Sequence, residues 1–451
     1  MTIKEYISKN QNEIVKELAD FVRIPSVSAK GEHLDEAAQY IKQIMERVGI
    51  KTRMISTSSY PVVYGEISCG NKEKPTVLVY GHYDVQPAEP LEKWNTPPFE
   101  PTIIDGVMYG RGSTDNKGYN IAYIRAVDAL LKREGVLPCN LKFVFEGCEE
   151  SGSRGLEQFF SENKELLQAE YTVSTDGPRH DCGRPWLTLG CKGLLYLEMT
   201  LKTMERDAHS ANASVLPSAA WEMVHLLKKL VDEDGNILVP HFFDGALEMT
   251  ELERKIMSAV PPTEESTKAI YKPTKVLAKE GMTFEEKLIF TPTFNISGMY
   301  SGYTGKDAKT VLTSEATVKL DFRLLPNQDG EQVMQCIKDY ISQLGYDNVE
   351  VKKLSYIKPS KTPMNLRGVR IAQEACKKVF GVDPVTTPIV PATGPVYMFT
   401  DVLGQPLVFF RYSDADCNNH APNEKMTLDL LFKGIEFMAE VYEMSGQVAE
   451  Q

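Results

Sequence analysis

Two histidines and several carboxylates in this 451-residue sequence fall where strands should end. The apolar run 76–80 leads into Gly81-His82-Tyr83-Asp84. The run 141–145 leads into Glu146-Gly147-Cys148-Glu149-Glu150-Ser151-Gly152, and 171–174 into Thr175-Asp176-Gly177. The run 406–410 reaches Asn418-Asn419-His420-Ala421-Pro422 after a short loop. A fifth segment, Gly110-Arg111-Gly112-Ser113-Thr114-Asp115-Asn116, opens a helix. In open α/β sheets, ligand residues gather beyond the carboxyl ends of the strands. Taken singly, Asp115 could cap its helix and Asp176 could open a turn. Taken together, several carboxylates on one rim would repel one another and shift their pKa values unless a cation compensates. Histidine with carboxylate suits zinc, with manganese or cobalt as alternatives. The candidates outnumber what one open catalytic zinc needs, which points to two ions.

The elements that must position these groups follow from periodicity. Ile7, Ile14, Leu18 and Phe21 share one helical face, and Ala38, Ile41, Ile44 and Met45 another, with Gly49 as a stop. Short continuous apolar runs then read as strands covered on both faces. They alternate with helices predicted over 121–131 and 155–167, so the fold class is α/β with a mostly parallel sheet flanked by helices. The texture changes near Pro185. Leu195, Leu197, Met199 and Leu201 alternate with polar residues, as do Val318, Leu320, Phe322 and Leu324. Such alternation predicts an antiparallel sheet with one open face, covered by helices around 219–230 and 331–344. The α/β texture resumes with helices over 369–379 and 428–444. The expected organisation is a catalytic domain of residues 1–185 and 358–451, interrupted by an α+β lid or dimerisation domain over 186–357. Residues 262–274 read as an exposed excursion of that insert.

Composition removes several function classes. The net charge is −12, which disfavours nucleic acid and anionic membranes as partners. No signal-peptide pattern opens the chain, and no apolar run reaches the length of a membrane helix. The eight cysteines include no Cys-x-x-Cys pair, a pattern that fits reduced thiols and a cytoplasmic protein. The third glycine of a dinucleotide fingerprint is replaced by Asp115, and neither a phosphate-binding Gly-x-x-x-x-Gly-Lys nor a Gly-x-Ser-x-Gly elbow occurs.

The segments 81–87, 110–118, 149–152, 176–178 and 420–424 together resemble the signature series of a co-catalytic dizinc hydrolase family. It contains carnosinase-type dipeptidases, aminoacylases, glutamate carboxypeptidase, acetylornithine deacetylase and succinyl-diaminopimelate desuccinylase. The resemblance implies that His82 and His420 bind one metal each, Asp115 bridges them, Glu150 joins His420 and Asp176 joins His82. It implies that Asp84 holds the His82 imidazole, that Glu149 is the general base and that the Asp115–Asn116 peptide is cis. Asp207-Ala208-His209-Ser210 resembles a segment whose histidine reaches a dimer partner's active site. Thr310 and Arg323 resemble a pair that grips the substrate. Ala392-Thr393-Gly394-Pro395 stands where the family has a glycine-rich substrate loop, with Ala392 departing from the usual form.

The expected activity is hydrolysis of an amide in a small carboxylate-bearing substrate by a homodimer with two divalent ions, zinc first. A dipeptidase is favoured over an N-acyl amino acid deacylase because of the chain's length and extended insert. A non-catalytic metal-containing binding protein is the remote alternative, since Glu149 and all five implied ligands are present.

Overall fold

The computed structural model describes residues 1–277 and 281–447. Its larger sheet has eight strands in the order Lys51–Ile55, Val62–Ile67, Asn140–Glu146, Thr76–His82, Tyr171–Thr175, Leu407–Arg411, Trp186–Thr188 and Val385–Thr387. The four strands from 140–146 to 407–411 run parallel to their neighbours. Antiparallel pairing is confined to the flanks. The central strands are buried on both faces, and their alternate residues separate two cores. Val77 and Val79 face the helices Ile3–Val22, Lys117–Glu134, Arg367–Phe380 and Leu428–Gly446. Leu78 and Tyr80 face Leu156–Glu162 and the turn Met398–Leu403. This is the period-two geometry of a strand.

Helix Lys117–Glu134 is longer than the 121–131 expected from pattern. Residues 117–130 are all buried, Lys117, Asn120, Arg125 and Asp128 included, so the helix lacks the solvent-exposed face that normally makes one legible. The helix expected over 155–167 is divided into Leu156–Glu162 and Lys164–Leu167. Asn163 Nδ2 donates to the Phe159 carbonyl at 2.9 Å, the local competition that makes asparagine a helix interrupter.

The second sheet orders Thr293–Ser301, Glu315–Leu324, Gly193–Lys202 and Val349–Ile357, all antiparallel. Burial alternates strictly along Gly193–Lys202, and the apolar side packs on helices Ala219–Leu230 and Gly330–Gln343. The sheets change at Gly193 rather than at residue 186. Trp186–Thr188 satisfies its backbone in the larger sheet, and Gly190–Cys191 pairs with Ser360–Lys361. The excursion at 262–274 includes helix Glu264–Tyr271, which buries none of its residues. All eight cysteines are free thiols. Among the described residues no helix is long and apolar enough to cross a membrane.

Candidate active site

The parallel strands deliver the chemistry-bearing residues to one rim. His82 ends strand Thr76–His82 and is buried. Close approach requires the glycine before it, because a Cβ on Gly81 would stand 2.1 Å from Asn120 Oδ1. Asn120 Nδ2 in turn donates to the His82 carbonyl at 2.6 Å. His82 Nε2 stands 3.1 Å from Asp115 Oδ1 and 3.4 Å from Asp176 Oδ2. His420 Nε2 stands 3.0 Å from Asp115 Oδ2 and 3.1 Å from Glu150 Oε2. The two oxygens of Asp115 therefore face different imidazoles. The Asp115–Asn116 peptide is cis.

These atoms form two donor sets, His82 with Asp115 and Asp176, and His420 with Asp115 and Glu150. Within each set the ligand atoms lie within 4.8 Å of one another. His82 Nε2 and Asp115 Oδ1 are buried without a hydrogen bond although they are neighbours. They point into shared space rather than along a donor–acceptor line. Donors bonded at about 2.1 Å to a tetrahedral ion stand about 3.4 Å apart. The observed separations and the nitrogen–oxygen donor types fit a pair of divalent ions.

Electrostatics agree with the fit. Burial pushes the Glu149 carboxyl well above its usual range, with His82 opposing. Burial and then Asp115 push Glu150 up to about 7 and raise Asp176. Burial also acts to raise Asp115, yet its contacts with His420 and His82 outweigh that and hold it below the ordinary carboxylate range. Burial would lower His82, but Asp115, Asp176 and Asp84 push it well above its ordinary value. Asp115 and Glu150 push His420 up to about 11. Cations placed between these groups would replace the protons that the imidazoles otherwise retain.

Asp84 lies beside the His82 imidazole and also holds the Glu149–Ser151 turn. The nearest oxygen to His82 Nδ1 is the Asp84 backbone carbonyl at 3.1 Å, with the carboxylate at 3.4 Å. The carboxylate accepts the backbone N–H groups of Glu149 and Glu150 at 3.2 and 3.0 Å. It thus holds the first turn of Glu149–Ser151 in place, anchoring both carboxyl-bearing residues.

A cavity of about 260 Å³ adjoins the cluster and is lined by Asp115, Glu149, Asp176, His420, Thr393 and Gly394 among others. Arg323, on the polar side of its strand, donates from Nη1 to Thr393 Oγ1 at 2.5 Å. His209 and Thr310 do not reach this cavity. Both are exposed on the insert, where His209 pairs with Val311, next to Thr310. His209 Nδ1 accepts only the local Ala211 N–H, at 3.1 Å.

Pattern reading assigned no role to three residues that the geometry brings forward. Glu424 accepts Arg111 Nη1 at 2.7 Å and the backbone N–H groups of Gly112, Thr114 and Asp115 at 3.0–3.1 Å. Gln86 Nε2 donates to Glu150 Oε2 at 2.9 Å. Arg411 lines the cavity at the end of strand Leu407–Arg411, where the strand-end rule applied to His82 would have located it.

Comparison with known proteins gives the family. Residues 78–444 match the model of Peptidase family M20/M25/M40. The Beta-Ala-His dipeptidase of Mus musculus is 28% identical, the match covering 98% of this chain and 95% of that protein. The Cys-Gly metallodipeptidase of Schizosaccharomyces pombe is also 28% identical, over 98% of each. Among solved structures, an M20 family metallo-carboxypeptidase from Sulfolobus solfataricus is 34% identical with a TM-score of 0.85, covering 96% of this chain and 99% of that one. Human carnosine dipeptidase 1 gives 28% identity and a TM-score of 0.76, over 99% and 98%. The chain belongs to the peptidase family M20/M25/M40.

Proposed function

We propose that this protein is a metal-dependent dipeptidase that hydrolyses the amide bond of a short peptide carrying a free carboxylate. The observation that carries the reading is a buried two-set donor cluster, bridged by Asp115, in a chain that matches named dipeptidases along nearly its whole length. His82, Asp115 and Asp176 would hold one ion and Asp115, Glu150 and His420 the other. Zinc suits those donors best, with manganese or cobalt as alternatives. Bound there, the ions supply Lewis acidity toward the amide carbonyl and acidify water.

The rest is done by this chain's own side chains. Glu149, held by Asp84 through its backbone, takes a proton from the attacking water and returns it to the leaving amine nitrogen. Burial raises its affinity for protons, which favours accepting one from water. Thr393 and Gly394 form the cavity wall, and Arg323 reaches that wall through Thr393, so the insert helps to orient the substrate carboxylate. Residues 1–192 with 358–451 act as the catalytic unit and 193–357 as lid and dimerisation unit. In a homodimer, His209 and Thr310 would approach the partner's cavity, where an imidazole would steady the developing oxyanion. The free thiols support a cytoplasmic setting.

The test is amine release from a panel of dipeptides, tripeptides and N-acyl amino acids by metal-reconstituted protein, with and without chelator. Dipeptides should be cleaved fastest, and chelation should abolish turnover. Cleavage of N-acyl amino acids alone would replace the dipeptidase reading with deacylation. The likeness to a metallo-carboxypeptidase favours a second reading, in which longer peptides lose their last residue. Tripeptide cleavage exceeding dipeptide cleavage would support it.

A further inference from the structure

The cavity beside the cluster carries a cation, Arg411, that has no ion pair among the described residues. Leu407, Phe409 and Arg411 alternate along one strand and line the same wall, as side chains two apart must. The Arg411 guanidinium lies 4.9 Å from the Phe409 ring centre and 5.1 Å from that of Trp186. Its Nε is shielded from solvent without a hydrogen-bond partner. The deeply buried Arg111 and Arg125 are ion-paired, one with Glu424 and the other with Glu13, Glu17 and Asp128. Arg411 has no such pair among the described residues. Asp176 is the leading opposing charge acting on it, but that carboxylate faces His82.

A guanidinium packed against two aromatic rings, with its Nε shielded and unbonded and no ion pair of its own among the described residues, gains from a carboxylate that joins it. Its planar fork matches a carboxylate. Val390, Val396 and Phe399 line the same cavity and would cover aliphatic carbon beside that carboxylate.

We propose that Arg411 is the anion receptor of the substrate cavity, taking one carboxylate of the peptide from either the chain terminus or an acidic side chain. The choice of a peptide as ligand rests on the dipeptidase reading above.

Three matched pairs test it: Glu-Ala against Gln-Ala, Ala-Glu against Ala-Gln, and Ala-Leu against its C-terminal amide. Wild-type protein should prefer the charged member of at least one pair, expressed mainly in KM. Arg411→Met should reduce that preference roughly tenfold to a hundredfold, and Arg411→Lys should retain part of it. The pair that responds identifies the source of the carboxylate. Equal losses on all six peptides would mean that Arg411 only balances Asp176, and would overturn the proposal. A second arm needs no turnover and, in its wild-type half, no variant. Calorimetry should show glutarate binding the wild-type protein more tightly than glutaramate, with the difference lost in Arg411→Met. If no peptide is cleaved, the dipeptidase reading fails while calorimetry still decides the receptor. Equal binding of the two ligands by the wild-type protein, or binding of neither, would overturn it.

Discussion

Replacing Glu424 with glutamine tests how the bridging carboxylate is held. Glu424 is fully buried, and its two oxygens accept four donors. Oε2 receives Arg111 Nη1 and the Gly112 N–H, and Oε1 receives the Thr114 and Asp115 N–H groups. Glutamine keeps one acceptor oxygen and turns an NH₂ toward the other two donors. It also removes the counter-charge of Arg111, which is 1% exposed. Removing one partner of a buried ion pair costs about 3–5 kcal/mol. Arg111 retains the Pro87 carbonyl at 3.2 Å and the Trp94 ring at 5.4 Å, so the lower part of that range is expected. The Asp115 N–H is among the donors at risk, so metal affinity should also fall, roughly tenfold to a hundredfold. Urea denaturation and metal titration of Glu424→Gln measure the two effects. A stability change below about 1 kcal/mol together with unchanged metal affinity would refute the reasoning.

Three further outcomes are expected. Glu149→Gln should keep its metal content while kcat falls roughly 10²–10⁴-fold, whereas Glu150→Gln should lose metal; equal metal loss in both would contradict the division of labour between these neighbours. Lys192 is buried with its ammonium on the Leu288 and Thr291 carbonyls at 2.7 and 2.6 Å, and burial pushes it down to about 7, against about 10.4 in an unfolded chain. Between those values the unfolded chain binds the extra proton, so this group makes stability rise with pH by up to about 1.4 kcal/mol per unit; denaturation from pH 7.5 to 9.5 should show that increment in the wild type and not in Lys192→Met. Finally, His209→Ala and Glu149→Gln protomers should each be nearly inactive, and verified heterodimers should regain activity at one site, whereas no recovery would place His209 outside the partner's chemistry.

Much of the fold was legible because its signals are local. The runs at 77–80 and 143–145 are apolar without interruption, and the structure buries them between two cores. The alternation of Leu195, Leu197, Met199 and Leu201 marked a one-sided sheet, and those residues line the second core. Reading was weaker where tertiary burial overrides pattern. Helix Lys117–Glu134 exposes none of its first fourteen residues, polar ones included, and Trp186–Thr188 is too short to declare its sheet. The family resemblance linked Asp84 to His82, while the backbone groups its carboxylate accepts, those of Glu149 and Glu150, arrive from the turn after another strand.

The sequence by itself determined the kind of chemistry, since four strand-end segments and one that opens a helix contain two imidazoles, several carboxylates and a pair of glutamates, and these residue types suit divalent metals. It also determined the two textures of sheet, because side-chain period is a local property of the backbone. Only the tertiary structure decided that Asp115 and His420, 305 positions apart, come to 3.0 Å. It alone decided that Asp115 turns one oxygen to each imidazole, that Glu424 gathers the loop before it, and that Arg411 faces the cavity with no ion pair among the described residues. The physical reason is that strand order brings together segments distant in the chain. The charge and hydrogen-bond partners of a buried group are then set by whichever segments meet there, and no local pattern records that.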